Sequence, residues 1–260
     1  MPTWKFKPLA EDDTRENPIQ SQFFTTDEVR SIANGLIREG AQNALDEQLD
    51  KAQPVLIRIR ISGSTEALSP NQFAPYLKGL TEHLHSKESG LRELPDFAID
   101  KMDFLVFEDF NTKGLRGNPI ESKDCEIENE DEPHNFYYFW RNVGITGKAK
   151  DKLGRWGVGK TVFPASSRIN TFWGYTIQVD SKRELLLGQS VLKKHNIESD
   201  PQDWGYKPYG YFGNYRDNSF FARPIEEQQY LTNFKEHFKL TRRSEPGLSV
   251  VMEILMNQTT

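Results

Sequence analysis

The stretch that most limits what this chain can become is Glu39-Gly40-Ala41-Gln42-Asn43-Ala44-Leu45-Asp46. It lies in a segment with helical periodicity. At ~100° per residue, Val29, Ile32, Ala33, Leu36, Ile37, Gly40 and Ala44 form one apolar stripe, which needs a second layer to cover it. Thr25 and Glu28 have capping-box spacing, so the helix is expected to start near Thr26 and to run to about Asp50. Glu39, Asn43 and Asp46 fall within roughly 60° of one another on the margin of that stripe. Two carboxylates and a carboxamide are therefore expected along the core edge. Each costs a few kcal/mol there unless it is partnered. A structural polar network is one source of partners; a ligand or a metal ion is another.

The covering layer is readable as strands. Val55 to Ile61 alternates, with Val55, Ile57, Ile59 and Ile61 on one face. Phe104-Leu105-Val106-Phe107 is a continuous apolar run of the kind found in a buried strand, ending at Glu108-Asp109. Arg168 to Val179 and Arg183 to Leu192 form a strand pair around Asp180-Ser181-Lys182, and Leu248 to Met256 is a last strand. Helices are expected within 71–94 and around 225–238. Residues 1–24, with three prolines and Glu11-Asp12-Asp13, read as an irregular arm. Residues 110–135, with five acids between Glu126 and Glu132, read as a solvated loop that returns to the core at Phe136 to Trp140. Trp204 to Tyr215 reads as a packed, aromatic loop insertion, with a base-stacking surface as the alternative.

Composition removes several functions. No apolar run approaches the ~18 residues of a membrane span, and the polar, acidic N-terminus is unlike a signal peptide. One cysteine, Cys125, excludes an intramolecular disulfide and a multi-cysteine metal site, and a reducing cytoplasm is its natural setting. The five histidines lack zinc-site spacing. A net charge of −5 makes the whole domain an unpromising nucleic-acid binder, although a local basic face is not excluded.

Gly154-Arg155-Trp156-Gly157-Val158-Gly159-Lys160-Thr161 matches G-x-x-x-x-G-K-[ST], the P-loop. That motif needs a buried strand before it, and Gly147-Lys148-Ala149-Lys150-Asp151-Lys152 is no core strand. A different grouping takes four stretches in order. They are Glu39-x-x-x-Asn43-Ala44-x-Asp46; Phe107-Glu108-Asp109 with Gly114-Leu115; Gly154-x-Trp156-Gly157-Val158-Gly159; and Gly247-Leu248-Ser249-Val250-Val251. In this set the chain resembles the GHKL ATPases, a superfamily that includes gyrase B subunits, a class of heat-shock chaperones, MutL, MORC proteins and histidine kinases. The resemblance covers about residues 25–256.

That resemblance implies an α+β fold of the Bergerat type. This is a two-layer sandwich with a mixed, mostly antiparallel sheet, helices on one face and ATP between the layers. It implies roles as well. Glu39 matches the general base that activates water, and a positioned carboxylate suits that transfer. Asn43 matches the Mg²⁺ ligand, a hard oxygen donor, and Asp46 a further acid beside the nucleotide. Asp109 matches the aspartate that accepts from the adenine amino group. The usual D-x-G-x-G turn after it is replaced by Asp109-Phe110-Asn111-Thr112-Lys113-Gly114, which lacks the first glycine. Gly154, Trp156, Gly157, Val158 and Gly159 match the phosphate-binding turn, where backbone amides approach the phosphates. Lys160 and Thr161 follow it, and Lys148 lies in the implied lid, 142–153, as a further phosphate contact. Ser249 stands for the threonine of the strand closing the adenine pocket.

The function implied is Mg-dependent ATP binding and hydrolysis in residues 25–260, as the front domain of a longer cytoplasmic protein. ATP-gated homodimerisation through the arm 1–24 comes with it. So does service to DNA or a partner effector, as in antiphage defence. The alternatives are a histidine-kinase-type catalytic domain and a nucleotide-sensing module without turnover. No phospho-acceptor histidine segment precedes the motifs, which weighs against the kinase.

Overall fold

The computed structural model describes residues 1–14, 17–18, 32–91, 93–122, 134–141, 161–200 and 204–254. In chain order the elements are β1 (Thr3–Pro8), α1 (Ile32–Asp46), β2 (Leu56–Ile61), α2 (Gly63–Glu66), α3 (Pro70–Leu77), α4 (Thr81–His85) and β3 (Phe104–Phe110). There follow α5 (Asn135–Arg141), α6 (Val162–Ala165), β4 (Thr171–Ile177), β5 (Glu184–Val191), β6 (Tyr206–Gly213), α7 (Gln228–His237) and β7 (Gly247–Glu253). The strands make one sheet in the order β1-β6-β5-β4-β7-β3-β2, and every pairing is antiparallel. A P-loop belongs to a strand–loop–helix unit of a parallel sheet. No parallel pair occurs among the described strands, in keeping with the rejection of that motif on context.

Side chains of a strand alternate between faces, and the two cores of this chain obey that period. Val106, Trp173, Leu186 and Val251 point into one cluster, where α3, α4 and α7 contribute Phe73, Tyr76, Leu84, Leu231 and Phe234. Their neighbours Phe107, Phe172, Leu185, Leu187 and Val250 point into the other, where α1, α5 and α6 contribute Leu36, Phe136, Trp140, Val162 and Phe163. The expectation of helices on one face is therefore corrected: helices cover both faces, and the sheet is the middle layer. The central strands β4 and β5 are buried along nearly their whole length for that reason.

Four further expectations change. Thr3–Pro8 is not part of an irregular arm. It is an edge strand against β6, with Trp4 and Phe6 buried in the first core. Trp204 to Tyr215 is not a loop insertion but carries β6, between β1 and β5. The helix of the opening motif ends at Asp46 rather than Asp50, and its expected start lies outside the described residues. Its buried line is Gly35, Leu36, Gly40 and Ala44, while Ile32 and Ile37 are 45% and 53% exposed. Three of these four residues are glycine or alanine, so the helix backbone closes on the sheet along a narrow seam. Among the described residues no helix is long and apolar enough to cross a membrane.

Candidate functional site

Helix α1 lies over β3, and the contact is made by the smallest residue available. A Cβ placed on Gly40 would sit 2.6 Å from Cζ of Phe107, well inside van der Waals distance. Glu39 is the neighbour of that contact, and Phe107 lies two residues before Asp109 on the same face of the strand. Beyond Asp46 the helix ends on the turn that follows Asp109. The Lys113 amide donates to the carbonyl of Glu47 at 3.0 Å, the Leu49 amide to that of Asn111 at 2.9 Å, and Gln48 bridges Thr112. Asn111 takes a left-handed φ of 58° there, and its Nδ2 donates to the carbonyls of Asp50 and Gln53 at 2.8 Å each. The longer turn is thus held as a docking point for the helix.

At the end of β3, Asp109 is buried at 8% exposure. Its Oδ1 accepts from the Thr112 hydroxyl at 2.5 Å and from the Leu248 amide at 2.8 Å. The Arg242 guanidinium stands 3.6 Å from the same oxygen. Burial pushes the Asp109 carboxyl above the usual carboxylate range, with nearby Glu108 adding to the rise, while Arg242, Thr112 and Leu248 oppose it. Gly114, with φ of 69°, completes the turn. A Cβ there would strike the carbonyl of Ile177 and approach Thr176 Oγ1 to 2.9 Å, so only glycine fits. Thr176 in turn accepts from the Leu115 amide at 2.9 Å and donates to the Gly247 carbonyl at 2.8 Å.

The residues expected from the sequence are distributed as follows. Glu39 is half-buried and pairs with Arg38 at 3.0 Å; Asn43 and Asp46 are exposed on the same helix, which corrects the expectation that all three line the core edge and removes the desolvation cost expected of those two. Asp109 and Gly114 lie at the C-terminal end of that helix. Thr161 is buried at the start of α6, whose Val162 and Phe163 share a core cluster with Leu36 and Phe107. The chain leaving the glycine-rich stretch is therefore anchored beside the N-terminal half of α1. Lys148, Gly154, Trp156, Gly157, Val158, Gly159 and Lys160 lie outside the described residues.

Ser249 does not join the others. It pairs in register with Glu108, and its hydroxyl donates to Glu108 Oε1 at 3.0 Å. It therefore shares Glu108's face of the sheet, opposite to the face of Phe107. The β7 group that reaches Asp109 is the amide of Leu248.

Sequence reading missed Arg242, which is 2% exposed between these strands. Its Nε donates to Ser249 Oγ at 3.0 Å, and Nη1 to the carbonyls of Glu245 and Pro246 at 3.1 and 2.8 Å. Its Nη2 donates to the carbonyls of Leu248, at 2.9 Å, and Asp109. Glu108 completes the cluster by accepting from the amide and hydroxyl of Thr241 and from the Arg242 amide. Only the doublet Arg242-Arg243 ahead of Gly247 marks the place in sequence, and a basic doublet normally means a solvated surface.

Asn43 offers a hard carboxamide oxygen, suited to Mg²⁺ that keeps most of its coordination for water and phosphate oxygens. Among the described residues, no three histidine, cysteine, aspartate or glutamate side chains cluster so as to hold a metal on their own. Compared with models of known families and with curated proteins, the chain matches none.

Proposed function

We propose that this chain binds Mg·ATP and hydrolyses it, in the manner of the GHKL ATPases that its motifs resemble. One observation carries the reading: α1 is seated on β3 through Gly40 and Phe107 and ends on the turn after Asp109. Glu39, Asn43 and Asp46 thereby lie along one path from α6 to Asp109. The adenine end of the nucleotide belongs at Asp109 and the phosphate end toward α6, where the glycine-rich stretch re-enters the core.

On this reading the Glu39 carboxylate takes the proton of the attacking water. Asn43 holds Mg²⁺, which neutralises charge on the phosphate oxygens. Asp109 accepts from the adenine amino group. ATP-gated dimerisation and service to DNA or an effector protein rest on the resemblance alone.

A second reading, a nucleotide sensor without turnover, is favoured by the Arg38–Glu39 pair, which engages one oxygen of the general base. Calorimetry with Mg·ATP and a phosphate-release assay separate the two. Glu39→Ala is expected to bind ATP like the wild type while losing turnover by about 10²–10⁴-fold. Equal turnover in both would remove Glu39 from the mechanism. Binding without turnover in the wild type would favour the sensor, and a wild type that does not bind ATP would end both readings.

A further inference from the structure

Asp109 is confined in an unusual way. Both of its hydrogen bonds end on Oδ1, and Oδ2 accepts none from the described residues. A carboxyl buried to this degree favours its neutral form. Neutral and ionised forms recognise different bases. An ionised carboxylate only accepts, and so suits the 6-amino group of adenine. A protonated one also donates, and so suits the 6-oxo group of hypoxanthine or guanine.

The cation that opposes the neutral form is Arg242, whose guanidinium stands 3.6 Å from Oδ1. All of its donors are taken: three by the carbonyls of Glu245, Pro246 and Leu248, one by Ser249 Oγ, and one by the carbonyl of Asp109 itself. It is stacked on Phe110 at 4.7 Å and cannot swing away. Gly247, the residue between these carbonyls, is required for the approach. A Cβ there would meet both Arg242 and Asp109 Oδ1, the latter at 2.6 Å. The charged and titratable groups facing the pair are Glu108 on β3, Tyr175 on β4 and Glu245 in the segment before β7.

We propose that Arg242 is the positioning residue for purine selection: it holds Asp109 ionised, with Oδ1 engaged inside the protein and Oδ2 presented as a pure acceptor for a 6-aminopurine nucleotide. The proposal rests on the nucleotide reading above, and it assigns the preference for ATP over 6-oxopurine nucleotides to a residue outside the expected motifs.

The test is affinity for ATP and for ITP, which differs in carrying the 6-oxo group, between pH 6 and 8. The wild type is expected to prefer ATP by about 10-fold or more at every pH, since an unpaired buried acceptor facing the oxo group is penalised. In Arg242→Gln the preference is expected to fall by at least about 10-fold, and to fall further as pH drops and Asp109 gains its proton. Arg242→Lys, which keeps the charge without the fork, restores part of the preference. A preference in Arg242→Gln equal to that of the wild type, with the same pH profile, overturns the proposal and leaves the ATP reading standing. A wild type that binds neither nucleotide overturns both.

Should Arg242→Gln not fold, the carboxyl ¹³C resonance of Asp109 in the wild type decides instead. Ionised at pH 7, it supports the proposal; protonated at pH 7, it refutes it.

Discussion

Gly40 of α1 rests directly on the ring of Phe107 in β3, closer than any side-chain-bearing residue allows. That single approach sets the height of the helix above the sheet, and with it the position of Glu39 and Asn43 relative to Asp109. Gly40→Ala is expected to lower stability by about 1–2 kcal/mol, because the overpacking cost exceeds the ~1 kcal/mol that alanine gains in helix propensity. Urea unfolding reads it directly. A neutral or stabilised variant would mean that the helix shifts freely, and that its seat does not define the site.

Gly114 is constrained from both sides, by its left-handed φ and by the carbonyl of Ile177. Gly114→Ala is expected to cost about 1–3 kcal/mol. The turn that docks the end of α1 should loosen with it. Hydrogen exchange should then rise at the amides of Leu49 and Lys113, which bond across that contact. Unchanged protection at those two amides would show that turn and helix are independent.

Glu253, at the end of β7, has a buried Oε2 without a hydrogen-bond partner among the described residues. Burial pushes its carboxyl up to about 7, with Asp103 adding to the rise and Arg168 opposing it. A raised value means that the fold prefers the protonated acid. Its stabilising contribution is complete below the ordinary value of 4.5 and is lost as pH rises through about 7. Glu253→Gln is therefore expected to gain on the wild type by on the order of 2 kcal/mol between pH 5 and pH 8.5. The same stability difference at both pH values would refute the buried-acid description.

His83 and His195 join α4 to the segment after β5 through a 2.8 Å hydrogen bond between Nδ1 of His83 and Nε2 of His195. Nδ1 of His195 lies 2.7 Å from the carbonyl of Lys193, so it carries the proton and Nε2 is left to accept. His195 is then neutral, and His83 donates to it from Nδ1. Burial, and secondarily the neighbouring His195, lowers His83 to about 4. With a depressed value the contribution is present above 6.5 and disappears as pH falls through about 4. The fold is expected to lose roughly 1–3 kcal/mol over that window, and NMR titration of His83 should give a midpoint near its low end. A midpoint near 6.5 would mean that the imidazole pair is not formed in solution.

Several elements were legible because their information is local. The alternation of Val55 to Ile61 carries β2, the Asp180-Ser181-Lys182 turn joins β4 to β5, and the apolar run from Leu248 carries β7. Strand β6 was not legible. Tyr206 to Gly213 contains Pro208 and two glycines and sets aromatic residues on both faces, so no period of two stands out. Strand β1 alternates, with Trp4 and Phe6 inward, but its prolines and acidic sequel read as an arm. The apolar stripe of α1 was drawn too wide, since Ile32 and Ile37 satisfy the period yet face outward.

The spacing of Glu39, Asn43 and Asp46 along one helix edge follows from the sequence alone, because helical geometry is local. The place of Asp109 at the end of a buried strand follows in the same way. Only the tertiary structure decided that Ser249 turns to the far face with Glu108, and that Arg242 is buried against Asp109 rather than solvated. Both depend on which strands become neighbours. The partners of Arg242 come from Asp109 on β3 and from residues 245–249 at the start of β7. Those two chain segments are brought together by strand pairing across more than half the length of the protein. A charged doublet in sequence carries no mark of the carbonyls that will surround it once the sheet has closed.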